Sequence, residues 1–294
     1  MLWPKDLKNK IKTKIRLADF TSFKIGGKAK FFFEPDDLES LQRVLALARD
    51  AGIKVFIIGA GSNLLVSDSG LDGMVIRLTA KDFKGIYTKG TCIIAGSGLK
   101  LNQLILFAQK NGLSGLEFLT GIPGTLGGAL AGNAGGWGKS IGDLVRQVYV
   151  LDHSGRPKII NCRGLKFAYR ESNLDKYIII SATLRLQAAD RNSIGQKTRG
   201  YLLKRLKRQN NINLPNAGCV FKNPGKKSAG FLIDSCGLKG KIKGGASVSK
   251  VHANFILNSN KAKSSDVLAL MNLIRRKVKS KFKINLAPEV KIWK

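Results

Sequence analysis

The sequence is poor in the residues from which proteins build metal sites and disulfide frameworks. Its 294 residues include two histidines, His153 and His252, and four scattered cysteines without a Cys-x-x-Cys pair. Zinc and related metals need several such ligands at short, regular spacings. We therefore expect no metal site. We expect reduced thiols at Cys92, Cys162, Cys219 and Cys236.

Long apolar runs are missing as well. Stretches such as VFII at 55–58 and YIII at 177–180 are far shorter than the roughly 20 residues of a membrane-spanning helix. Lysines interrupt the N-terminal stretch MLWPKDLKNKIKTKIR where a signal peptide carries its apolar core. The expected location is therefore the cytoplasm, without membrane insertion.

Acidic residues are scarce. The chain has 51 lysines and arginines against 19 aspartates and glutamates, a net charge of +32, and residues 191–294 hold 24 basic and 3 acidic residues. Such a charge attracts polyanions, so a basic nucleic-acid-binding protein is one alternative. The sequence contains no helix-turn-helix, zinc-finger or aromatic-basic RNA motif, however. We therefore favour lysines spread over solvated faces and do not expect nucleic acid as a partner.

The remaining pattern indicates a globular chain of mixed α and β structure, long enough for two or three lobes. Helical periodicity predicts helices within 35–52, 100–112, 193–209, 228–237 and 264–282. Short β-rich runs predict strands within 53–61, 74–78, 92–98, 177–187 and 252–258, a hairpin over 147–161 and a last strand over 289–293. The basic helix near 188–212 indicates a domain boundary.

The first glycine segment, GAGSNLLVSDSG at 59–70, follows a predicted buried strand. Its G-x-G start suggests a Rossmann fingerprint, but the third glycine position holds Leu64 and no helix follows, which excludes that motif. The backbone N–H groups of Gly59, Gly61, Ser62 and Asn63 could still bind an anion. A plain tight turn is the alternative.

The second glycine segment, TGIPGTLGGALAGNAGGWGKS at 120–140, ends in the triplet GKS. A P-loop would need glycine where the chain has Asn133, and a buried strand before it, so that motif is excluded. Pro123 and the small residues after it instead predict a helix start whose backbone N–H groups approach a pyrophosphate. A flexible linker is the alternative, but the segment is too apolar for one. Two such segments favour an extended dinucleotide bound outside a Rossmann fold.

Seven stretches resemble the UDP-N-acetylenolpyruvoylglucosamine reductase family, in the order that the family has them. They are TSFKIGGKA (21–29), GAGSNLLVSDSGLDGMVIRL (59–78), GLEFLTGIPGTLGGALAGNAG (115–135), YRES (169–172), NAGCVFKNP (216–224), AGFLIDSCGLKG (229–240) and PEVKIW (288–293). The short spacing between YRES and the C-terminal stretches resembles the shorter of the family's two structural types.

The resemblance implies an α+β fold. A two-lobed FAD-binding domain of the PCMH type would span 21–188, with lobes of about 21–80 and 81–188, after an N-terminal extension (1–20). A linking basic helix (189–212) would lead to a C-terminal α+β substrate-binding domain (213–294). Cofactor contacts would fall on Gly59, Gly61, Ser62, Asn63, Leu64, Gly121, Pro123, Gly124, Thr125, Gly127, Gly128, Ala129, Asn133, Ala134 and Gly135.

The resemblance also implies the reaction. NADPH would reduce FAD, which would reduce UDP-N-acetylglucosamine enolpyruvate to UDP-N-acetylmuramate, a peptidoglycan precursor. Hydride would pass from flavin N5 to the β-carbon, charge would develop towards the carboxylate, and the α-carbon would take a proton. We expect a monomer. Another FAD oxidoreductase of the same fold, acting on a different substrate, is the alternative enzyme.

Three residues match the family's catalytic positions. Arg170 in YRES would stabilise the enolate-like carboxylate, and Glu289, the only glutamate after Glu171, would have a supporting, charge-tuning role. Surface ion pairing is the alternative for both. The proton donor falls on Cys219, where the family most often has serine. A thiol, with a pKa of about 8.5, is a competent acid but is open to oxidation; an inert buried cysteine is the alternative.

Substrate contacts are implied for four further residues. Tyr169, Lys222 and Asn223 match positions of the family's substrate lobe, and Arg205 in the linking helix matches a substrate-facing arginine. A lysine suits a diphosphate and an arginine a carboxylate. For His252 we predict a packing role.

Overall fold

The structure, a computed structural model, describes residues 3–209, 213–225 and 227–294. Three parts of the predicted domain scheme lie outside the described residues. They are residues 1–2 of the N-terminal extension, residues 210–212 of the linking segment and residue 226 of the C-terminal domain.

The described residues form the α-helices α1 (Lys5–Lys8), α2 (Leu38–Asp50), α3 (Leu101–Lys110), α4 (Leu126–Ala131), α5 (Arg191–Gln209), α6 (Ala229–Asp234) and α7 (Ser264–Phe282). Five of them confirm the helices predicted from periodicity: α2, α3, α5, α6 and α7. Helix α2 has both features on which its prediction depends. Its N-terminus is capped, because the Asp37 carboxylate accepts the N–H of Ser40 at 2.7 Å. Its apolar side, which includes Leu41, Val44 and Leu45, is buried. Short 3-10 helices span Leu17–Phe20, Lys81–Phe83, Glu117–Leu119, Ile141–Leu144, Cys162–Gly164 and Asn173–Lys176.

Many of the strands are short. The first are β1 (Lys12–Arg16), β2 (Lys28–Phe33), β3 (Val55–Ile58), β4 (Leu64–Val66), β5 (Leu71–Arg77), β6 (Ile86–Lys89) and β7 (Cys92–Gly96). Then come β8 (Leu113–Ser114), β9 (Gly135–Gly136), β10 (Lys139–Ser140), β11 (Val145–Leu151), β12 (Pro157–Asn161), β13 (Phe167–Ala168), β14 (Glu171–Ser172), β15 (Ile178–Arg185) and β16 (Gln187–Ala188). The last are β17 (Asn216–Cys219), β18 (Ile242–Lys243), β19 (Ala246–Val248), β20 (Phe255–Asn258) and β21 (Lys291–Trp293).

The chain divides into two compact units. The first comprises residues 1–13, 31–59 and 72–205. It contains an antiparallel sheet of order β12-β11-β15-β7-β6, whose buried side chains pack with those of α3 and α4 in one core. A second core joins α2 to the parallel pair β3 and β5. The N-terminal residues belong to this core through the buried side chains of Trp3, Leu7 and Ile11.

The second unit comprises residues 14–30, 60–71 and 206–294. Its sheet has the order β17-β20-β19-β18, and the core includes Phe221, Leu232, Val267 and Ile274 from the sheet side and from helices α6 and α7. Strand β21 pairs in parallel with β4. No helix among the described residues is long and apolar enough to cross a membrane.

These units differ from the predicted contiguous domains. Residues 21–30 and 60–71, expected in the FAD-binding domain, and residues 14–20, expected in the N-terminal extension, group with the C-terminal residues. The cause is long-range hydrogen bonding: β4 pairs with β21, and the Asp68 carboxylate accepts the backbone N–H of Ser264 at 2.7 Å. The predicted N-terminal extension likewise contains α1 and β1 and contributes to a core.

Candidate functional site

The second glycine segment enters helix α4 at the cap residue Thr125. The Thr125 hydroxyl accepts the N–H of Gly128 at 3.4 Å, the N–H of Gly127 donates to the Ser97 carbonyl at 2.8 Å, and the N–H of Ala129 donates to the Thr125 carbonyl at 2.9 Å. The approach of this segment's backbone N–H groups to a pyrophosphate stays a prediction, and in the structure the three N–H groups named here bond within the protein.

Glycine is required by packing at two positions of the glycine segments. A Cβ on Gly127 would lie 2.9 Å from the Ser97 Cβ, and a Cβ on Gly59 would lie 2.6 Å from the Thr125 Oγ1. A Cβ on Gly128 would meet Thr125 Oγ1 at an ordinary 3.6 Å, and Gly128 is exposed. At Gly128 the missing side chain therefore leaves open space at the beginning of α4.

Two buried hydroxyl groups beside this segment indicate a ligand. Ser97 Oγ and Thr120 Oγ1 are both inaccessible to solvent and have no hydrogen-bond partner. Buried polar groups in native proteins have partners in the great majority of cases. Phosphate or hydroxyl groups of a dinucleotide would supply them, so the residues present fit such a cofactor. Sequence reasoning missed both residues, because a single hydroxyl carries no pattern.

Arg205 holds the beginning of the second glycine segment. Its Nε donates to the Thr120 carbonyl at 2.9 Å, and its Nη2 lies 3.4 Å from the Phe118 carbonyl. Gly121 has φ of 78°, and a Cβ there would lie 2.8 Å from the Arg205 Cδ. The exposed loop residue Pro123 and the extended Gly124 complete the loop before Thr125. Substrate contact by Arg205 stays a prediction, but its guanidinium has this bracing role.

Tyr169 and Arg170 form the two-residue turn of a small hairpin, the arginine hairpin (residues 167–172), between β13 and β14. Arg170 has φ of 61°, a left-handed conformation that is uncommon for arginine. Its guanidinium carbon lies 5.3 Å from the centre of the Tyr169 ring, which is 51% exposed. Both predicted residues thus lie at one exposed tip.

The end of the second glycine segment holds the arginine hairpin. Arg170 Nη1 donates to the Gly135 carbonyl at 3.1 Å, and the Asn133 side chain donates to the Ala168 carbonyl at 2.8 Å. The N–H of Ala134 donates to the Ala129 carbonyl at 2.7 Å. The predicted cofactor residues Asn133, Ala134 and Gly135 thus have structural roles within the protein, and their contact with a cofactor stays a prediction.

In the second unit, the first glycine segment lies against the last strand. Gly61 has φ of 61°, and a side chain there would collide with the Phe20 carbonyl. The Asn63 side chain donates to the Glu289 carbonyl at 3.2 Å, and Leu64 pairs with Lys291. Ser62 precedes this pairing and is partly buried. Predicted cofactor residues and the predicted catalytic Glu289 are therefore neighbours here.

Cys219 ends strand β17 after a β-bulge. It pairs with Phe255, and the register shifts between Asn216 and Cys219. Gly218 within the bulge has φ of 74°, and the Asn216 side chain accepts its N–H at 2.9 Å. Bulges redirect the side chains beside them and are frequent next to active sites. Cys219 is not in a disulfide and is partly buried.

Buried Asn254 fixes the two residues after Cys219. The N–H of Val220 donates to the Asn254 carbonyl at 2.8 Å, and the Asn254 side chain exchanges bonds with Phe221 N–H and carbonyl at 3.0 and 2.8 Å. Glu289 N–H donates to the Val220 carbonyl at 2.8 Å. The structure thus brings the segments of Cys219 and Glu289 together. Sequence reasoning missed Asn254, whose role depends on this long-range contact.

Three further predicted residues surround this segment. The N–H of Lys222 donates to the Ala287 carbonyl at 2.9 Å, which places Lys222 on the same pairing as Glu289. The Asn223 side-chain oxygen accepts the N–H of Ala229, the first residue of helix α6, at 2.9 Å. The His252 ring lies 4.9 Å from the Phe255 ring, which confirms its packing role. Burial lowers the pKa of the His252 imidazole below its ordinary value.

Metal-binding residues are not clustered. In residues 3–209, 213–225 and 227–294, no group of three or more histidine, cysteine, aspartate or glutamate side chains could hold a metal ion. None of the four cysteines is in a disulfide.

Two family models match the chain. The model of the C-terminal domain of UDP-N-acetylenolpyruvoylglucosamine reductase matches residues 209–293. A model described as an FAD binding domain matches residues 29–161.

Proteins of that name are also similar over the full length. UDP-N-acetylenolpyruvoylglucosamine reductase of Synechococcus sp. (strain JA-3-3Ab) is 42% identical over 290 residues, 97% of this chain and 92% of that protein. The protein of the same name from Desulforamulus reducens is 40% identical over 288 residues, 97% and 94% of the two chains. The crystal structure of UDP-N-acetylenolpyruvylglucosamine reductase from Thermus caldophilus matches with a TM-score of 0.82 at 34% identity, over 97% of this chain and 99% of that one.

Proposed function

The chain belongs to the UDP-N-acetylenolpyruvoylglucosamine reductase family, and we propose that it reduces UDP-N-acetylglucosamine enolpyruvate to UDP-N-acetylmuramate with NADPH. It is an FAD-dependent oxidoreductase of peptidoglycan precursor synthesis. The observation that supports the specific reaction best is the hydrogen bond from Glu289 to Val220, which brings two of the three predicted catalytic segments together.

FAD, when bound, would supply the hydride, taken from NADPH, that reduces the β-carbon of the enol ether. The residues proposed to hold it are those of the two glycine segments apart from Asn133, whose side-chain amide is bonded to the Ala168 carbonyl and the Gly142 N–H. The buried hydroxyls of Ser97 and Thr120 and the open face of Gly128 support this assignment, because they offer hydrogen bonds and space. Arg205 keeps the segment in place through the Thr120 carbonyl.

Arg170 is proposed to stabilise the negative charge that develops on the substrate carboxylate. A guanidinium suits this task, because its planar donors match a carboxylate and it stays charged at every relevant pH. Its rare left-handed backbone supports the assignment, since such strain is concentrated at functional sites. Tyr169, beside it at the exposed hairpin tip, is proposed as a substrate contact.

Cys219 is proposed to donate the proton to the α-carbon through its thiol. The bulge before it and the buried Asn254 behind it fix the backbone at this point, as a positioned acid requires. Glu289 is proposed to tune the charge around the thiol. Lys222 would bind the diphosphate of the substrate, and Asn223 would add a contact at the start of α6.

The test is a visible absorption spectrum of the purified protein, recorded under anaerobic conditions. NADPH should bleach the flavin bands, and the enolpyruvyl sugar nucleotide should restore them. UDP-N-acetylglucosamine, which lacks the enolpyruvyl group, is the control and should restore nothing. Bleaching without recovery would contradict the proposed substrate and favour another FAD oxidoreductase of this fold. A protein that neither contains nor takes up FAD would contradict the proposal as a whole.

A further inference from the structure

We infer that Asn133 is a positioning residue for Arg170, acting through the arginine hairpin. The inference rests on the proposed function, which gives Arg170 its role. It differs from the cofactor contact predicted for Asn133, because both groups of the side-chain amide are used within the protein.

Asn133 bridges two backbone groups that are distant in the chain. Its Nδ2 donates to the Ala168 carbonyl at 2.8 Å, and its Oδ1 accepts the N–H of Gly142 at 3.1 Å. The residue is 6% exposed and has φ of 42°, a left-handed conformation that asparagine tolerates better than most residues. A buried amide with both groups satisfied has one orientation.

The arginine hairpin depends on such support. Its strands β13 and β14 have two residues each, far fewer than an independently stable hairpin needs. Ser172 Oγ donates to the Ala131 carbonyl at 3.0 Å, and Arg170 Nη1 donates to the Gly135 carbonyl at 3.1 Å. Together with Asn133, these bonds tie both strands and the tip of the hairpin to residues 131–135.

The Asn133 bond is the one closest to the turn on the first strand. Ala168 directly precedes Tyr169 and Arg170, so its carbonyl fixes where the chain enters the turn. A shift there would move the guanidinium relative to the second glycine segment, although Arg170 itself would be intact. Misplacing a catalytic group by about 1 Å can cost up to about 100-fold in rate.

The test separates the two half-reactions of the holoenzyme by anaerobic stopped-flow absorbance. In Asn133→Gly, which keeps the left-handed backbone accessible, flavin reduction by NADPH and FAD content should stay unchanged. Flavin reoxidation by the enolpyruvyl sugar nucleotide should slow by at least about tenfold. If this variant does not fold, Asn133→Asp serves instead, because it keeps the acceptor for Gly142 and loses the donor to Ala168.

Asn173→Ala is the matched control. The Asn173 amide also bridges two backbone groups, Gly164 carbonyl and Lys166 N–H, but it does not bond to the second glycine segment. In Asn173→Ala, the rates of flavin reduction and flavin reoxidation should match those of the unmodified protein. Combining Asn133→Gly with Arg170→Ala should slow reoxidation no further than Arg170→Ala alone, because the first change acts through Arg170.

Four outcomes would overturn the inference. They are loss of FAD, equal slowing of both half-reactions, an unchanged reoxidation rate, and additive losses in the double variant. An unmodified protein that is not reoxidised by the enolpyruvyl sugar nucleotide would overturn the proposed function, and this inference with it. Normal reoxidation of both the unmodified protein and Asn133→Gly would overturn the inference alone.

Discussion

The backbone N–H of Glu289 donates a hydrogen bond of 2.8 Å to the carbonyl oxygen of Val220. Val220 directly follows Cys219, so this bond fixes the backbone of the C-terminal glutamate beside the strand of the thiol. The carbonyl oxygen of Glu289 accepts a second hydrogen bond, from the Asn63 side chain. One residue near the chain end is thereby tied to both a predicted cofactor segment and a predicted catalytic segment.

Cys219→Ala should abolish substrate reduction but not flavin reduction by NADPH. Alanine cannot donate a proton, and a positioned general acid contributes about 100- to 10,000-fold. Cys219→Ser should retain activity, because a hydroxyl occupies the same position. Stopped-flow rates of the two half-reactions check both expectations. Full turnover by the alanine variant would remove Cys219 from the mechanism.

Gly127→Ala and Gly128→Ala should differ in effect although the residues are neighbours. Alanine at 127 would press on Ser97, at a cost of about 1–3 kcal/mol in the free energy of unfolding. Alanine at 128 has room and should stabilise the apoprotein by up to about 1 kcal/mol through helix propensity. If FAD approaches Gly128, the second variant should bind it about tenfold more weakly, a loss of about 1.4 kcal/mol. Denaturant melts and FAD titration of both apoproteins measure this. Unchanged FAD affinity in Gly128→Ala would contradict the proposed contact.

Arg205→Lys distinguishes bracing of the glycine segment from substrate contact. Lysine keeps the charge but cannot reproduce the two directed bonds to the Thr120 and Phe118 carbonyls. If bracing dominates, FAD affinity should fall by about tenfold, a loss of about 1.4 kcal/mol, with the KM for the sugar nucleotide little changed. FAD titration and steady-state kinetics at saturating FAD decide between the roles. Normal FAD affinity with a raised KM would instead support the predicted substrate contact.

Asp68→Ala should destabilise the second unit by about 1–2 kcal/mol, the cost of losing a helix cap. The Asp68 carboxylate accepts Ser264 N–H at 2.7 Å, Ser264 Oγ at 2.9 Å and Ser265 N–H at 3.2 Å, at the beginning of α7. Ser69→Ala, one residue on, is the control and should leave the melting curve unchanged. Urea denaturation measures both free energies. Equal stability of the two variants would show that the cap contributes nothing.

The pH dependence of stability should contain a contribution from His252. Burial lowers the pKa of its imidazole, so the folded state binds the proton less well than the unfolded state. The resulting stability is fully present above about pH 6.5 and is lost as the pH falls towards the folded pKa. Protonation would also remove the acceptor that Nδ1 offers to Asn254 N–H at 3.3 Å. Thermal melts between pH 7.5 and 5.5 should show a smaller loss for His252→Gln. Equal pH slopes would contradict this assignment.

Much of the fold could be predicted from local patterns. Helices α2, α3, α5, α6 and α7 follow from apolar periodicity and end signals, which depend on residues a few positions apart. The four-residue helix α1 and strand β1 were missed. Helix α1 is too short for a helical periodicity, and Lys12–Arg16 has one apolar residue, Ile15, among three charged ones. Their placement depends on a core that distant residues complete.

The candidate site also has a part that local motifs predict and a part that depends on contacts between distant residues. The glycine segments, Tyr169, Arg170, Cys219 and Glu289 could be identified because their motifs are contiguous. The hydrogen-bond partners of the N–H groups at the start of α4 could not be predicted. These N–H groups bond to Ser97 and Thr125, and no motif specifies such partners. Asn254 and the hydroxyls of Ser97 and Thr120 have no sequence pattern at all.

The sequence by itself determined the family, the cofactor class and the positions of the motifs, because these depend on residue identity along short stretches. Tertiary structure alone decided that the backbone of Glu289 bonds to Val220, the residue after Cys219, and that residues 60–71 group with the C-terminal residues. It also decided that Asn133 supports the arginine hairpin. The reason is physical: each of these relationships consists of hydrogen bonds between residues far apart in the chain, and such bonds form only when the packed core has set the distance and direction between them.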